Sequence, residues 1–95
     1  MTEESQVRDN TAHHRFELVV DRHLAFSEYT LEGDVMTFTH TIVPPSLEGQ
    51  GVGSRLVEGA LTQARARGLK VRPLCSFVRA YIGRHPEWQD LLVGA

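Results

Sequence analysis

The chain has 95 residues, of which 41% are hydrophobic and 23% charged, with a formal net charge of −2 and a single cysteine. This size fits one domain with one modest core, and the charge gives no basic footprint for a nucleic-acid partner. One cysteine excludes a disulfide within the chain, and no apolar run approaches the roughly 18 residues that span a bilayer, so no membrane partner is expected.

The first residues are polar and charged. Met1 to Asp9 contain no apolar segment of the kind that a signal peptide needs. We therefore predict a flexible leader over residues 1–10, a single domain over residues 11–95 and a cytoplasmic location.

Three segments in the first half of the chain predict an antiparallel meander. Each is rich in β-branched or aromatic residues, and a turn signal separates it from the next. The segments are residues 15–20, 23–32 and 35–42, with turns at Asp21-Arg22 and Gly33-Asp34.

The third strand of this meander leads to the candidate site. Strict alternation places four of its side chains on one face: Met36, Phe38, His40 and Ile42. Pro44-Pro45 then ends the pairing, because proline has no backbone N–H to donate. Backbone groups near the end of this strand are therefore predicted to be free to pair with a ligand.

A glycine-rich loop follows the strand. Glycines at positions 49, 51 and 53 remove every second Cβ, so the backbone can take positive φ and an anion can approach main-chain N–H groups closely. The helix predicted next aims its free N–H groups at the same place. This pattern predicts a phosphate cradle, with an ordinary glycine-rich surface turn as the alternative.

The spacing in this loop separates three classes of phosphate site. A Walker A loop needs a Lys directly before its Ser or Thr, but Gly53 precedes Ser54. A dinucleotide site needs a third glycine at position 54 and an acidic residue on the next strand, which instead carries Lys70 and Arg72. The remaining pattern, Q/R-x-x-G-x-G/A, resembles the pyrophosphate motif of the GNAT superfamily of N-acetyltransferases, with one departure at Glu48.

An amphipathic helix is predicted after the loop. Apolar residues from Val52 to Ala64 recur at spacings of three and four and form one stripe. Gly68 stands where a left-handed C-terminal cap belongs, so the helix is predicted to end near Arg67. Residues 69–73 then predict a strand parallel to the third one, because a helix crosses between the two.

Basic residues cluster where this helix ends and the next strand runs. The cluster consists of Arg65, Arg67, Lys70 and Arg72. It suits an anionic ligand, or alternatively a solvated helix end whose cations complement the helix dipole.

A second helix is predicted after the short strand. Ser76 is its predicted N-cap, and His85-Pro86 breaks it after about Arg84. A last turn or two over residues 87–92 is predicted to cover the core with Trp88. The predicted buried face of the second helix consists of Phe77, Val78, Tyr81 and Ile82.

Four separated motifs resemble the small, single-domain branch of the GNAT N-acetyltransferases. The resemblance implies an α/β (α+β) fold, the minimal acyl-CoA N-acyltransferase fold, with a mixed, mainly antiparallel sheet and two main helices. Ile42 departs from the Glu often found at its position, and Ser76 from a frequent Pro. In family order, the motifs are His40-Thr41-x-Val43-Pro44, Glu48-Gly49-x-Gly51-x-Gly53, Pro73-Leu74-Cys75-x-Phe77-Val78-x-x-Tyr81 and His85-Pro86-Glu87.

The same resemblance implies that acetyl-CoA, or CoA itself, binds here. It implies a pyrophosphate on the backbone amides of the glycine loop, a pantetheine arm beside the strand end, and a thioester directed toward Cys75 and Tyr81. The implied CoA-binding residues are Ile42, Val43, Glu48, Gly49, Gln50, Gly51, Val52, Gly53 and Ser54.

Acetyl transfer to an amine needs a neutral amine, a polarised thioester carbonyl and a protonated leaving thiolate. Tyr81 is the candidate acid, because a phenol can donate its proton to a thiolate of similar basicity. The alternative for Tyr81 is packing on the helix face. His40 is a candidate for relaying a proton from the amine, with a structural hydrogen bond as its alternative.

Cys75 admits three roles. A lone cysteine is often a small buried hydrophobe. At the predicted start of a helix, where a thiolate is favoured, it can also line the CoA site or act as the nucleophile that carries the acetyl group.

The favoured function is acetyl-CoA-dependent N-acetyl transfer to an amine that the sequence does not identify. A non-catalytic CoA-binding module and a protein-interaction subunit on the same scaffold are the alternatives. No metal site is expected, since the adjacent residues His13 and His14 would point to opposite faces of a strand. Monomer and homodimer both stay open.

Overall fold

The computed structural model describes residues 6–94, which form one five-stranded sheet covered by two helices. The four N-terminal strands pair antiparallel in chain order, and the fifth runs parallel to the fourth. The predicted fold, a mixed and mainly antiparallel sheet with two main helices, is confirmed. The strands are β1 (Arg8–Asn10), β2 (Arg15–Val20), β3 (His23–Glu32), β4 (Val35–Ile42) and β5 (Lys70–Pro73).

The helices pack on one face of this sheet. α1 (Val52–Ala66) follows β4, and α2 (Ser76–Arg84) follows β5. Short 3-10 segments span Pro45–Leu47 and Pro86–Leu91, and the second of these buries Trp88 as predicted. None of the helices within residues 6–94 combines the length and apolar character that crossing a membrane requires.

The core lies between α1 and the sheet. The predicted apolar stripe of α1 is buried, which confirms the helical periodicity. It packs on the inward side chains of the strands, among which Phe16, Phe38 and Tyr29 form an aromatic cluster with ring centroids 5.2 to 6.4 Å apart. The remaining large core side chains on the strands are Leu18, Met36 and Val71.

The strand β1 corrects the prediction of a flexible leader. Arg8–Asn10 pairs with β2, and Asp9 accepts hydrogen bonds from the Tyr29 hydroxyl at 2.6 Å and from Arg67 at 2.9 Å. The prediction was therefore wrong for residues 8–10, while residues 1–5 lie outside the described residues. Three residues are too few to show strand periodicity, and both partners of Asp9 come from distant parts of the chain.

The ends of the helices largely match the sequence prediction. α1 ends at Ala66 with Arg67 as its C-cap, and the Leu69 N–H donates to the Ala64 carbonyl at 2.9 Å. Two details of α2 were wrong. Its N-cap is Cys75, so Ser76 is its first helical residue, and Phe77 is 37% exposed instead of buried.

A β-bulge divides β4 into two halves whose side chains alternate out of phase with each other. Glu28 of β3 pairs with His40, but the next residue of β3, Tyr29, pairs with Phe38, so Thr39 is one extra residue in β4. The extra residue reverses the alternation of side chains beyond it.

This bulge corrects the predicted face of His40 and Ile42. Phe38 lies opposite Tyr29 on the helix-covered face, whereas His40 lies opposite Glu28 on the other face. Thr41 takes the inward position instead, opposite the fully buried Ser27. A bulge depends on the pairing of two strands, so alternation within β4 alone did not predict it.

Candidate functional site

The site begins where β4 and β5 part. The N–H groups of Leu74 and Cys75 both donate to the Phe38 carbonyl, at 3.1 and 2.9 Å, and the chain then turns into α2. Beyond Phe38, β4 continues to Ile42 with β3 as its neighbour on one side. Among residues 6–94 no strand pairs with the other side of this half, so its backbone groups border an opening.

A cleft of about 470 Å³ occupies this opening. It runs from the second half of β4 to the glycine loop and the first turns of α1 and α2. All the residues that the family resemblance implied for CoA binding line it except Gln50, whose side-chain amide bonds the Ser46 carbonyl. The lining residues are Thr41, Ile42, Val43, Leu47, Glu48, Gly49, Gly51, Val52, Gly53, Ser54 and Phe77.

The glycine loop has the backbone that an anion site needs. Gly49 and Gly51 have φ of 84° and 74°, values that side chains other than glycine rarely adopt. Gly51 is the N-cap of α1, and the first helical hydrogen bond runs from the Arg55 N–H to its carbonyl at 3.1 Å. The N–H groups of residues 52–54 therefore have no acceptor within α1 and face the cleft with the positive end of the helix dipole.

Gly53 serves packing as well as access. A Cβ at this position would lie 2.6 Å from Phe77 Cζ and 3.3 Å from Val43 Cγ2. The absence of a side chain thus lets Phe77 lie across the start of α1, where it forms one wall of the cleft.

Thr41, a residue of the cleft lining, contacts two polar side chains that are not part of the lining, Ser27 and Cys75. The Cys75 thiol donates to the Thr41 hydroxyl at 3.3 Å, and the Thr41 and Ser27 hydroxyl oxygens lie 2.9 Å apart. Ser27 is fully buried and Cys75 is 8% exposed, whereas Thr41 lines the cleft. Of the predicted catalytic residues, Cys75 is therefore hydrogen-bonded to a residue of the cleft lining.

His40 lies away from this group. The bulge turns its side chain to the open face of the sheet, where it is 71% exposed and its Nδ1 lies 3.7 Å from Glu28 Oε1. The structure does not bring His40 together with Cys75, and its proton-relay role stays a prediction.

Tyr81 also lies outside the cleft lining. Its ring stacks on His85 with centroids 4.0 Å apart, and it is buried on the predicted face of α2. Burial raises the pKa of its phenol, the Glu58 carboxylate adds to this rise, and a hydrogen bond with Trp88 partly opposes it. These contacts fit the packing alternative, and the acid role of Tyr81 stays a prediction.

The four side chains of the basic cluster bind other groups of the protein. Arg65 pairs with Asp90 and stacks on Trp88, and Lys70 bonds the Asp90 carbonyl at 3.1 Å. Arg67 pairs with Asp9, and Arg72 bonds Thr37. None of these four basic residues lines the cleft, so their contacts favour a role at the helix end over one in the anion site.

Sequence reasoning missed Thr41, Leu47 and Phe77 as lining residues. Thr41 was hidden by the bulge, and Leu47 belongs to a short 3-10 turn that its Pro-rich sequence did not predict. Phe77 was assigned to the buried face of α2, and only its proximity to Gly53 reveals its place in the cleft. An aromatic residue in the first turn of α2, paired with a glycine in the first turn of α1, was the available signal.

Two comparisons with known proteins agree with this architecture. The sequence model of the GCN5-related N-acetyltransferase family matches residues 15–91. The chain therefore belongs to the GCN5-related N-acetyltransferases. Its fold is similar to the solution structure of a GCN5-like protein from Staphylococcus aureus, with a TM-score of 0.74 and 26% sequence identity over 99% of this chain and 93% of that one.

Proposed function

We propose that this chain is an acetyl-CoA-dependent N-acetyltransferase that uses the cleft between β4, α1 and α2 as its CoA site. The observation that carries the proposal is the cleft itself. It joins the helix N–H groups that have no acceptor within α1 to a strand edge that no strand of residues 6–94 pairs with, and it borders Thr41, which contacts Cys75. Family membership supports the same chemistry.

The two ends of the cleft suit the two ends of the cofactor. The N–H groups of residues 52–54 offer donors for a pyrophosphate without a Lys or Arg in the lining. Ile42, Val43 and Phe77 offer apolar surface and strand backbone to the pantetheine arm. The thioester then lies toward Thr41 and Cys75.

Acetyl transfer proceeds through attack on the thioester carbonyl. The lone pair of a neutral amine forms a bond to the carbonyl carbon, the C–S bond breaks, and the CoA sulfur leaves with the electron pair and takes a proton. Direct transfer and transfer through Cys75 both fit the geometry. In the second route the Cys75 sulfur attacks first, its proton goes to CoA, and the amine then displaces the acetyl group from the cysteine.

Gly51→Glu tests the CoA site. The new carboxylate would stand at the N-terminus of α1, where it would occupy and repel the phosphate position, so acetyl-CoA binding should be lost in isothermal titration calorimetry. Gly33→Glu is the matched control, because Gly33 also has positive φ and open space around it but lies in the β3–β4 turn, outside the cleft lining.

Both variants should lose similar stability, about 1 to 2 kcal/mol for a side chain in the left-handed region. Only Gly51→Glu should lose affinity. Retained binding by Gly51→Glu, or equal loss in both variants, would contradict the assignment of the loop. A wild-type protein without affinity for acetyl-CoA would favour the protein-interaction alternative, and binding without turnover on a panel of amines the passive CoA-binding alternative.

The covalent route predicts an acetyl-enzyme. Wild-type protein mixed with acetyl-CoA in the absence of amine should release one CoA per chain in a burst and gain the mass of one acetyl group. Cys75→Ala should show neither. If intact-protein mass spectrometry detects no adduct while amines are acetylated, transfer is direct and Cys75 only supports the cleft through its contact with Thr41.

A further inference from the structure

We infer that the Thr41 hydroxyl donates a hydrogen bond to the carbonyl oxygen of the acyl thioester and so acts as an oxyanion donor. The inference rests on the proposed function and adds a catalytic residue to it. It follows from the direction that the proton of the Thr41 hydroxyl is forced to take.

The first step concerns Ser27. Its hydroxyl is fully buried and contacts the Thr41 hydroxyl at 2.9 Å, its one side-chain partner among residues 6–94. If Thr41 donated to Ser27, the proton of Ser27 would be buried without an acceptor. If Ser27 donates, only acceptor capacity is left unused, which costs less than an unmade buried donor. Ser27 is therefore the donor.

The second step concerns Cys75, whose thiol also donates to the Thr41 hydroxyl, at 3.3 Å. A hydroxyl group has two acceptor positions and one proton. With both acceptor positions of Thr41 filled from the protein side, its own proton has no acceptor among the described residues and points into the cleft that Thr41 lines. Two incoming donors also polarise this hydroxyl and strengthen it as a donor.

The third step identifies the atom that accepts this proton. From the glycine loop back along the chain, the lining residues are Val43, which follows β4, and then Ile42 and Thr41 on β4, so Thr41 is the one farthest along the chain from the loop. Thr41 also adjoins Cys75, toward which the thioester lies. The carbonyl oxygen gains negative charge as the nucleophile attacks, so a donor fixed here stabilises the transition state more than the ground state.

Thr41→Val removes the hydroxyl and keeps the branched shape, and Thr41→Ser keeps the hydroxyl as the matched control. The first readout compares the affinities for acetyl-CoA and for S-ethyl-CoA, a thioether that has a methylene in place of the carbonyl. The affinity for acetyl-CoA divided by the affinity for S-ethyl-CoA should fall about 2- to 10-fold in Thr41→Val. The same ratio should stay near the wild-type value in Thr41→Ser. Circular dichroism and thermal unfolding show whether each variant is folded.

The second readout is turnover with an amine that the wild type acetylates. Thr41→Val should lower kcat by about 10²-fold, the range found when one oxyanion donor is removed, with little change in the affinity for CoA. An unchanged affinity ratio in Thr41→Val would overturn the inference. Equal weakening of both ligands would also overturn it, because the hydroxyl would then bind the pantetheine arm. A wild type that binds neither ligand would instead refute the proposed function.

Discussion

Tyr29 shows how a single residue ties the start of the chain to the rest of the fold. Its hydroxyl donates to Asp9 on β1, and Asp9 in turn accepts from Arg67 at the end of α1. Burial, together with the neighbouring carboxylate of Asp9, raises the pKa of Tyr29 to about 12. The protonated phenol is therefore the form that the fold requires.

This raised pKa predicts a loss of stability at alkaline pH. A phenol held at about 12 in the folded state and near 10 in the unfolded chain stabilises the fold fully below pH 10, and that contribution is lost as the pH rises toward 12. The contribution of Tyr29 is about 2 to 3 kcal/mol. Tyr29→Phe should be less stable at neutral pH and should lose less on going from pH 9 to 11.

Urea unfolding of both proteins at a series of pH values measures this difference. Part of the alkaline slope should persist in Tyr29→Phe, because the pKa of Tyr81 is also raised by burial. If wild type and variant lost stability in parallel between pH 9 and 11, the hydrogen bond to Asp9 would not hold the proton of Tyr29.

At the scale of elements, two helical glycines make opposite predictions. Among the described residues, no atom beyond the neighbouring residues and backbone of α2 lies within 4 Å of the position a Cβ on Gly83 would take, whereas a Cβ on Gly59 in α1 would lie 2.6 Å from the Cβ of Val7. The Gln63 amide also bonds the Val7 carbonyl at 3.1 Å, which holds residue 7 against the helix. Gly59 therefore allows a close approach of the N-terminal segment, and Gly83 does not serve such a contact.

Gly83→Ala should raise the free energy of unfolding by about 0.5 to 1 kcal/mol, because alanine loses less backbone entropy in a helix. In Gly59→Ala the same gain is offset by the displacement of Val7, so we expect a net loss of about 1 kcal/mol. Thermal unfolding of the two variants side by side gives the comparison. An equal gain at both positions would show that residue 7 does not pack on α1 in solution.

The sequence predicted elements with strong local signals and missed features that depend on pairing. The stripe of α1 and the strands 15–20, 23–32 and 35–42 followed from periodicity, and the glycine loop from spacing. The strand at Arg8–Asn10 was missed because three residues are too few to show periodicity, and the side-chain partners of Asp9, Tyr29 and Arg67, are far away in the sequence. The positions of Thr41 and His40 were misjudged because a bulge shows only when both strands are aligned.

The whole molecule has two layers, with helices on one face of the sheet. The cleft lies within the sheet, where β4 and β5 part, and not at an outer edge. The outer side of β5 is covered by the segment after the last 3-10 turn: Leu92 forms a parallel bridge with Val71, and the Val93 N–H donates to the Val71 carbonyl at 3.0 Å. The strand edge that borders the cleft therefore differs from the outer edge of β5 in having no such cover among the described residues.

The two ends of the cleft differ in how far a single sequence can predict them. The proposed phosphate end is formed by backbone N–H groups, and the spacing of the glycines predicted their position. The proposed reaction end depends on side chains from β3, β4 and the start of α2, namely Ser27, Thr41 and Cys75. Only the assembled sheet brings these three together, so their grouping had no local signal.

The extra residue divides β4 into two halves whose inward side chains have different roles. Before Thr39, the inward positions Met36 and Phe38 fill the core, whereas after it the inward position Thr41 borders the cleft. Variation in the first half should therefore be limited by folding, and variation in the second half by ligand preference. Related chains could thus diverge in what they acylate, or with which acyl group, without having to rebuild the interior that supports the strand.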